Sequence, residues 1–460
     1  MKRTLGEFAR ACGGVLAGAD RAYTDVVSDS RALTPGQLFV ALKGPNFDGG
    51  QFVSAALAAG AAGAVVATEQ PLELPQIVVR DTQQALERAA QAWRADFSGP
   101  VVGVAGSNGK TTAKEMTAAI LGQAGSCLAT RGNLNNHIGV PLTLLRLEPS
   151  HRFAVVEMGA NHPGEVAALV RLARPSVGMI TNAGAEHLEG FGSLEGVARA
   201  EGEMIAGLSP TATAVINADD AFVDLWRALT PAQVVTFGVA RRADFSASEV
   251  RAAVGTAGFR THFLLRAPAG SAAIELALGG THNIANALAA AAAATSAGAT
   301  LEHISAGLAT MRAVPGRLEF RRAAGGAWLI DDSYNANPSS MRAAIAVLAS
   351  LTGRKWLVLG DMAELGAAAD EAHTEVGELA RASGIERLYA TGALMARATE
   401  SFGAGAAWFA DASALTAALT AALAAAGAEV RILVKGSRCN RLERVVAALT
   451  GTAPGGAVGH

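Results

Sequence analysis

Apolar, β-branched runs recur along the chain, and each empties into glycine or polar residues before helical spacing begins. The runs at 101–105, 153–158, 177–182, 328–332, 356–359 and 430–434 predict buried strands. After the first of these, Ala113, Met116, Ala119 and Ile120 share one helical face. Further helices are predicted over 193–207, from the segment 279–286 onward, from Ser339, and over 373–382. Nearer the start the pattern is shorter and more mixed. A polar cluster at 28–31 precedes a turn at 34–36, a strand over 37–42, a turn at 46–50, a helix over 51–59 and a buried strand over 63–67. Strands alternating with helices predict α/β layers with strand-end loops gathered along one sheet edge. Two breaks, Ser98-Gly99-Pro100 and Val314-Pro315-Gly316, interrupt both periods and divide the chain into segments 1–98, 99–313 and 314–460.

Composition narrows the class. At 460 residues the chain exceeds one ordinary core, and with 50% hydrophobic and 17% charged residues it predicts packed globular layers over disorder. A formal net charge of −2 supplies no general pull toward nucleic acid or an anionic membrane. Cys12, Cys127 and Cys439 are far apart without metal-ligand spacing, which predicts reduced thiols. Residues 1–7 carry no apolar signal core, and the alanine run 287–294 is short of a membrane span. A cytoplasmic protein with no membrane span and no nucleic-acid partner is the expectation.

The first central strand runs straight into Gly106-Ser107-Asn108-Gly109-Lys110-Thr111-Thr112. Glycines allow a backbone to wrap an anion, and the N–H groups of the loop and of the following helix start stabilise negative charge. Lys110 is expected on the terminal phosphates of a nucleoside triphosphate and the Thr111 hydroxyl on Mg²⁺. The usual eight-residue pattern has glycine where this chain has Val104, so the loop is a shortened form.

Other strand ends carry polar groups with two readings each. Asn133, Asn135 and Asn136 form an uncharged hydrogen-bonding cluster suited to a sugar or peptide, beyond what one turn requires. Glu157 closes an apolar strand, where ligands of open α/β sheets bind, and reads as a Mg²⁺ ligand or a capping residue. His187, beyond the next strand, reads as a ligand or an ordinary loop histidine. Asn283 and Asn286 lie one helical turn apart, to contact a base edge or to cap the helix. Ser28, Ser30 and Arg31 read as ligand contacts or a self-capped loop. Lys435 and Arg438 follow the last strand, to hold a carboxylate or to flank a helix start.

Taken together, these segments resemble the Mur ligases over nearly the full length. The phosphate loop is shared with folylpolyglutamate ligases. The narrower signals are the segments 133–141, 157–162, 187–192, 332–337 and 360–366. They resemble the type that adds D-alanyl-D-alanine to UDP-N-acetylmuramoyl-tripeptide. The Asp-Asn-Pro-Arg motif of the paralogue that adds the tripeptide's third residue is absent.

The resemblance implies three α/β domains. These are a small mixed UDP-substrate domain (1–98), a central P-loop ATP-binding domain (99–313) and a C-terminal Rossmann-like domain (314–460) that brings in the dipeptide and closes on ATP. It implies an ATP- and Mg²⁺-dependent, monomeric ligase working through an acyl phosphate. Lys110, Glu157 and His187 are then catalytic, and Thr111, Glu157 and His187 hold metal. ATP is expected on Gly106 through Thr112, with Asn283, Arg317 and Asp332. The UDP-substrate is expected at Ser28, Ser30, Arg31, Asn135, Asn136 and Asn161, and the dipeptide at Asn335, Lys435, Ser437 and Arg438.

One position departs from the pattern. Many relatives carry a carbamylated lysine near the metal where this chain has Glu201, a carboxylate on a shorter arm. Two alternatives stand beside the leading reading: a Mur or folylpolyglutamate-type ligase for another amino acid, and a nucleotide switch that forms no bond.

Overall fold

The computed structural model describes residues 3–44, 47–255 and 258–452. Met1, Lys2, Asn46 and residues 453–460, which fall within the expected first and last segments, lie outside the described residues. Each of three strand-rich stretches forms its own sheet. In the first, Val26–Val27, Leu38–Val40, Gly63–Val66 and Gln76–Val78 run parallel in that order, and Val15–Ala17 adds an antiparallel edge. Helix Leu5–Cys12 starts at a reciprocal Thr4–Glu7 cap, and Asp81 caps helix Thr82–Asp96. Leu5, Phe8, Leu86 and Trp93 are buried. The second helix also meets helices Gly139–Leu144 and Glu165–Ala173, so one apolar core runs from the first sheet into the second.

The central sheet places Val101–Ala105 between Phe153–Glu157 and Val177–Ile180, all parallel. The chain leaves Val101–Ala105 toward Cys127–Ala129 on one side and returns to continue on the other through Thr213–Asn217 and Gln233–Gly238. Such a switch point opens a crevice at the carboxyl ends of the strands, and the glycine loop 106–109 sits there. Helix Thr281–Ser296 packs on helix Lys110–Ala124, and its residues Ala287 to Ala294 have no exposed surface. The alanine run is therefore a core helix, its small side chains allowing close packing.

The sheet is not wholly parallel. Phe245–Gly255, Gly258–Ala267 and Gly270–Leu276 extend it as an antiparallel meander that the strand–helix alternation did not predict. In the third sheet Val430–Lys435 inserts between Trp328–Asp332 and Arg354–Gly360, all parallel, and Glu319–Arg322 is an antiparallel edge. Asp332 and Lys435 come level, as do Leu359 and Lys435, so the loops 333–337, 361–365 and 436–438 share one edge.

Several boundaries moved. The expected strand over 37–42 is Leu38–Val40. The expected helix over 51–59 begins as a 3₁₀ turn, Gly49–Phe52, because the Asp48 side chain accepts from Gly50 N–H; Val53–Ala58 follows. The segment Ala412–Glu429 reaches the length and hydropathy of a membrane-crossing helix. Here it forms helix Ala412–Ala426, whose Leu415, Leu419 and Leu423 are buried in the core beside the third sheet.

Candidate active site

Gly106 (φ +120°) and Gly109 (φ +84°) hold the loop in backbone conformations that favour glycine. A Cβ at the first would strike Thr181, and one at the second Asn286. Ser107 N–H donates to Asn182 O (2.9 Å) and Asn108 N–H to Asn182 Oδ1 (3.0 Å), fixing the loop to the neighbouring strand end. Helix Lys110–Ala124 begins at Gly109 with no side-chain cap. Its first-turn N–H groups are thus open to an anion.

Lys110 lies across the loop, donating to Gly106 O and Ser107 O (3.1 Å), with Glu186 Oε1 at 3.3 Å. Burial alone would lower its ammonium pKa, but Glu186, Glu201 and Glu157 together hold it above the ordinary value. Glu186 had not been singled out in the sequence. It also accepts from Asn337 Nδ2 (3.3 Å) of the third unit, whose amide reaches Asn108 Oδ1 as well (2.9 Å). Asn108 Nδ2 donates to Ser339 Oγ (2.9 Å). The phosphate loop is thereby clasped by the start of helix Pro338–Ala349, which Asn337 caps.

Glu157 is almost fully buried. Its Oε1 accepts from Asn135 Nδ2 (2.8 Å) and Thr111 Oγ1 (3.3 Å), while Oε2 is enclosed without a hydrogen-bond partner. The ammonium of Lys114, wholly buried, stands 4.0 Å from that oxygen and donates to Thr130 O (2.7 Å). An orphaned carboxylate oxygen beside a threonine hydroxyl at a phosphate loop fits Mg²⁺, which takes one or two protein oxygens plus substrate phosphates and water. Among the described residues no cluster of three His, Cys, Asp or Glu could hold a metal alone.

His187 adopts a left-handed backbone (φ +49°), and its Nδ1 meets Glu364 Oε2 across the gap between the second and third units. The sequence leaves open whether Glu201 touches the metal directly, through water or not at all. It lies beneath the loop, nearly inaccessible, with Oε2 accepting from Gly106 N–H (2.7 Å). Burial raises its carboxyl to about 7, against the pull of Lys110. An acid on that backbone amide supports the turn.

Two cavities meet at the loop, each of about 600 Å³ (≈ 620 and ≈ 610 Å³). The first is lined by the phosphate loop, Asn135, Glu157, Asn283, Asn286, Arg317, Asp332 and Lys435. The other runs from Thr111, Glu186 and His187 to Asn335, Glu364, Ser437 and Arg438. Arg317 and Tyr334 line both, with the guanidinium 4.3 Å from the ring centre. Every residue expected on ATP therefore lines the first cavity except Gly106, which braces the loop. Asn283 and Asn286 also hold their own helix: Asn283 donates to Gly279 O and accepts from Asn286.

Of the expected dipeptide residues, Asn335, Ser437 and Arg438 line the second cavity. Lys435 departs from that group. It is buried against Asp332 (2.7 Å) and faces the nucleotide side. The expected UDP-substrate residues are not brought together. Asn135 reaches Glu157, but Asn136 caps the turn into the next helix by accepting from Ile138 and Gly139 N–H. Asn161 N–H donates to Glu165. Arg31 closes on Asp29 (2.7 Å) in an exposed loop, and neither cavity includes Ser28, Ser30, Arg31, Asn136 or Asn161.

Comparisons with known proteins match this layout. The Mur ligase family, catalytic domain, matches residues 22–97; the Mur ligase middle domain matches 104–294; and the Mur ligase, glutamate ligase domain, matches 316–438. UDP-N-acetylmuramoyl-tripeptide–D-alanyl-D-alanine ligase of Escherichia coli strain K12 is 47% identical over 97% of this chain and 98% of its own length. The crystal structure of MurF from Acinetobacter baumannii superposes with a TM-score of 0.89 at 33% identity, covering 98% of this chain and 99% of that one. MurF ligase from Thermotoga maritima in complex with ADP gives 0.79 at 27% identity, covering 93% and 97%.

Proposed function

The chain belongs to the Mur ligase family, and on that premise we propose that it joins D-alanyl-D-alanine to UDP-N-acetylmuramoyl-tripeptide at the expense of ATP. The observation that carries this reading is the position of Thr111 and Glu186, which line both the nucleotide-side cavity and the one reaching the third unit, with Lys110 on Glu186 from the nucleotide side. A nucleotide switch needs only the first cavity; a ligase needs a second one for an acceptor.

In this reading residues 1–98 bind the UDP-substrate, 99–313 bind ATP and 314–460 bring in the dipeptide. The terminal carboxylate of the tripeptide attacks the γ-phosphorus of ATP, ADP leaves, and an acyl phosphate forms. The dipeptide's amine then attacks the acyl carbon and phosphate departs. Two anions must approach closely in the first step. Lys110 screens them from the loop side, and the open N–H groups of the helix start hold the transferred group. Thr111 and Glu157, with His187 once released from Glu364, would hold Mg²⁺, which supplies further charge neutralisation. Glu157 is held in place by Asn135, with the buried Lys114 ammonium beside it. The Asn108–Asn337–Glu186 clasp brings the third unit over the loop and excludes water from an intermediate that water would destroy. The site is complete within one chain, and the reaction belongs in the cytoplasm, where ATP is supplied.

Phosphate release from ATP and UDP-N-acetylmuramoyl-tripeptide, measured with a panel of amines, tests the reading. Stimulation by D-alanyl-D-alanine alone is expected. Stimulation by glutamate or another single amino acid instead would assign a paralogous ligase, and nucleotide binding without amine-dependent turnover would assign a switch.

A further inference from the structure

Among the described residues, the cavity that reaches the third unit contains one half-exposed carboxylate held only by a side chain from the second unit. Four acidic side chains line it. Glu186 is held by Lys110 and Asn337. Asp331 is buried on the Ser333 hydroxyl (2.6 Å), with Arg321 at 3.7 Å. Glu443 backs Arg438 at 3.5 Å. Glu364 is about half exposed and, among the described residues, touches only His187.

Its loop is built to present it. Asp361 accepts from Met395 N–H (2.9 Å), Met362 N–H donates to His373 Nε2 (3.0 Å), and Ala363 N–H donates to Ser437 Oγ (2.9 Å). With each preceding residue tied down, Glu364 itself takes a left-handed backbone (φ +63°). A non-glycine residue adopts that conformation at some cost, and such costs gather where a side chain must be aimed.

We propose that Glu364 binds the ammonium group of the incoming dipeptide, while Arg438 takes its carboxylate. The proposal rests on the function proposed above and adds a recognition residue to it. A zwitterion entering a cavity screened from water needs an anion for its ammonium and a cation for its carboxylate. Here the exposed members of each sign, Glu364 and Arg438, line the same cavity. His187 occupies Glu364 before the dipeptide arrives. The ammonium displaces it, leaving the amine on the side of the cavity that borders Thr111 and Glu186.

The test compares native enzyme with Glu364→Gln, Glu364→Asp and, as a control outside the cavity, the exposed Glu378→Gln, using D-alanyl-D-alanine as substrate and D-lactoyl-D-alanine, which lacks the amine, as a competitive inhibitor. Loss of a charge-assisted contact raises KM for the dipeptide about ten- to hundredfold in Glu364→Gln. Glu364→Asp falls between the two, and KM for ATP and for the muramoyl tripeptide stays within about twofold. The inhibition constant of the lactoyl analogue is the same in native and Glu364→Gln enzymes. An unchanged KM, an equal loss for the lactoyl analogue, or the same KM shift in Glu378→Gln overturns the assignment. Native enzyme that the dipeptide does not stimulate would fail the proposed function itself and take this assignment with it.

Discussion

Glu201→Gln isolates one buried acid under the phosphate loop. Glu201 titrates at about 7 in the folded protein against an ordinary 4.5, because burial disfavours its charge. The groups facing it are Lys110, Glu186 and Glu203, with Gly106 N–H on its carboxylate. A carboxyl whose folded pKa is raised stabilises the fold below its unfolded pKa, and that contribution is lost as pH rises through the folded value. Each pH unit between the two values costs about 1.4 kcal/mol. From pH 5 to pH 8 the native protein therefore loses roughly 2–3 kcal/mol through this group. Glutamine keeps an oxygen for Gly106 N–H and does not titrate. Urea denaturation of the ligand-free protein at several pH values should show the variant gaining on the native chain from pH 5 to about 7 and levelling off above it. A gap that is constant with pH, or that grows as pH falls, would refute the reasoning.

Three further outcomes follow from the same site. Lys110→Ala should lower kcat/KM by about a thousandfold, since the screening charge at the transferred phosphoryl group is gone; initial rates check this. Gly106→Ala should weaken ADP binding in calorimetry and destabilise the protein by about 1–3 kcal/mol, because its methyl meets Thr181 in a strained backbone. Gly122→Ala, in open space on the following helix, is the matched control and should be silent or slightly stabilising. Because Glu201 leaves no lysine there to take up CO₂, removing CO₂ should leave the rate unchanged, whereas chelating Mg²⁺ should abolish it.

Much of this was legible in the sequence because strand-end loops carry the chemistry. The run 101–112 announced its strand, its glycine turn and the helix start behind it, and Glu157, Asn283 and Asp332 lie where strand and helix ends predicted. The meander 245–276 was missed although its period-two alternation is present: Phe259, Thr261, Phe263 and Leu265 are buried, and Arg260, His262 and Arg266 are exposed. Contacts between units were not legible. Nothing local in Glu364 or Asn337 reveals that they meet His187 and Asn108, residues far away in the chain. The same limit hid the buried partner of Lys435, Asp332 on the neighbouring strand, and that of Glu201, a backbone amide in another loop.

The central claim is that the phosphate loop activates a carboxylate by transferring a phosphoryl group to it. Tripeptide labelled with ¹⁸O in its terminal carboxylate tests this directly, by mass spectrometry of the phosphate released during D-alanyl-D-alanine addition. The account predicts one ¹⁸O in each phosphate from fully labelled substrate. Unlabelled phosphate accompanying amide formation would contradict it.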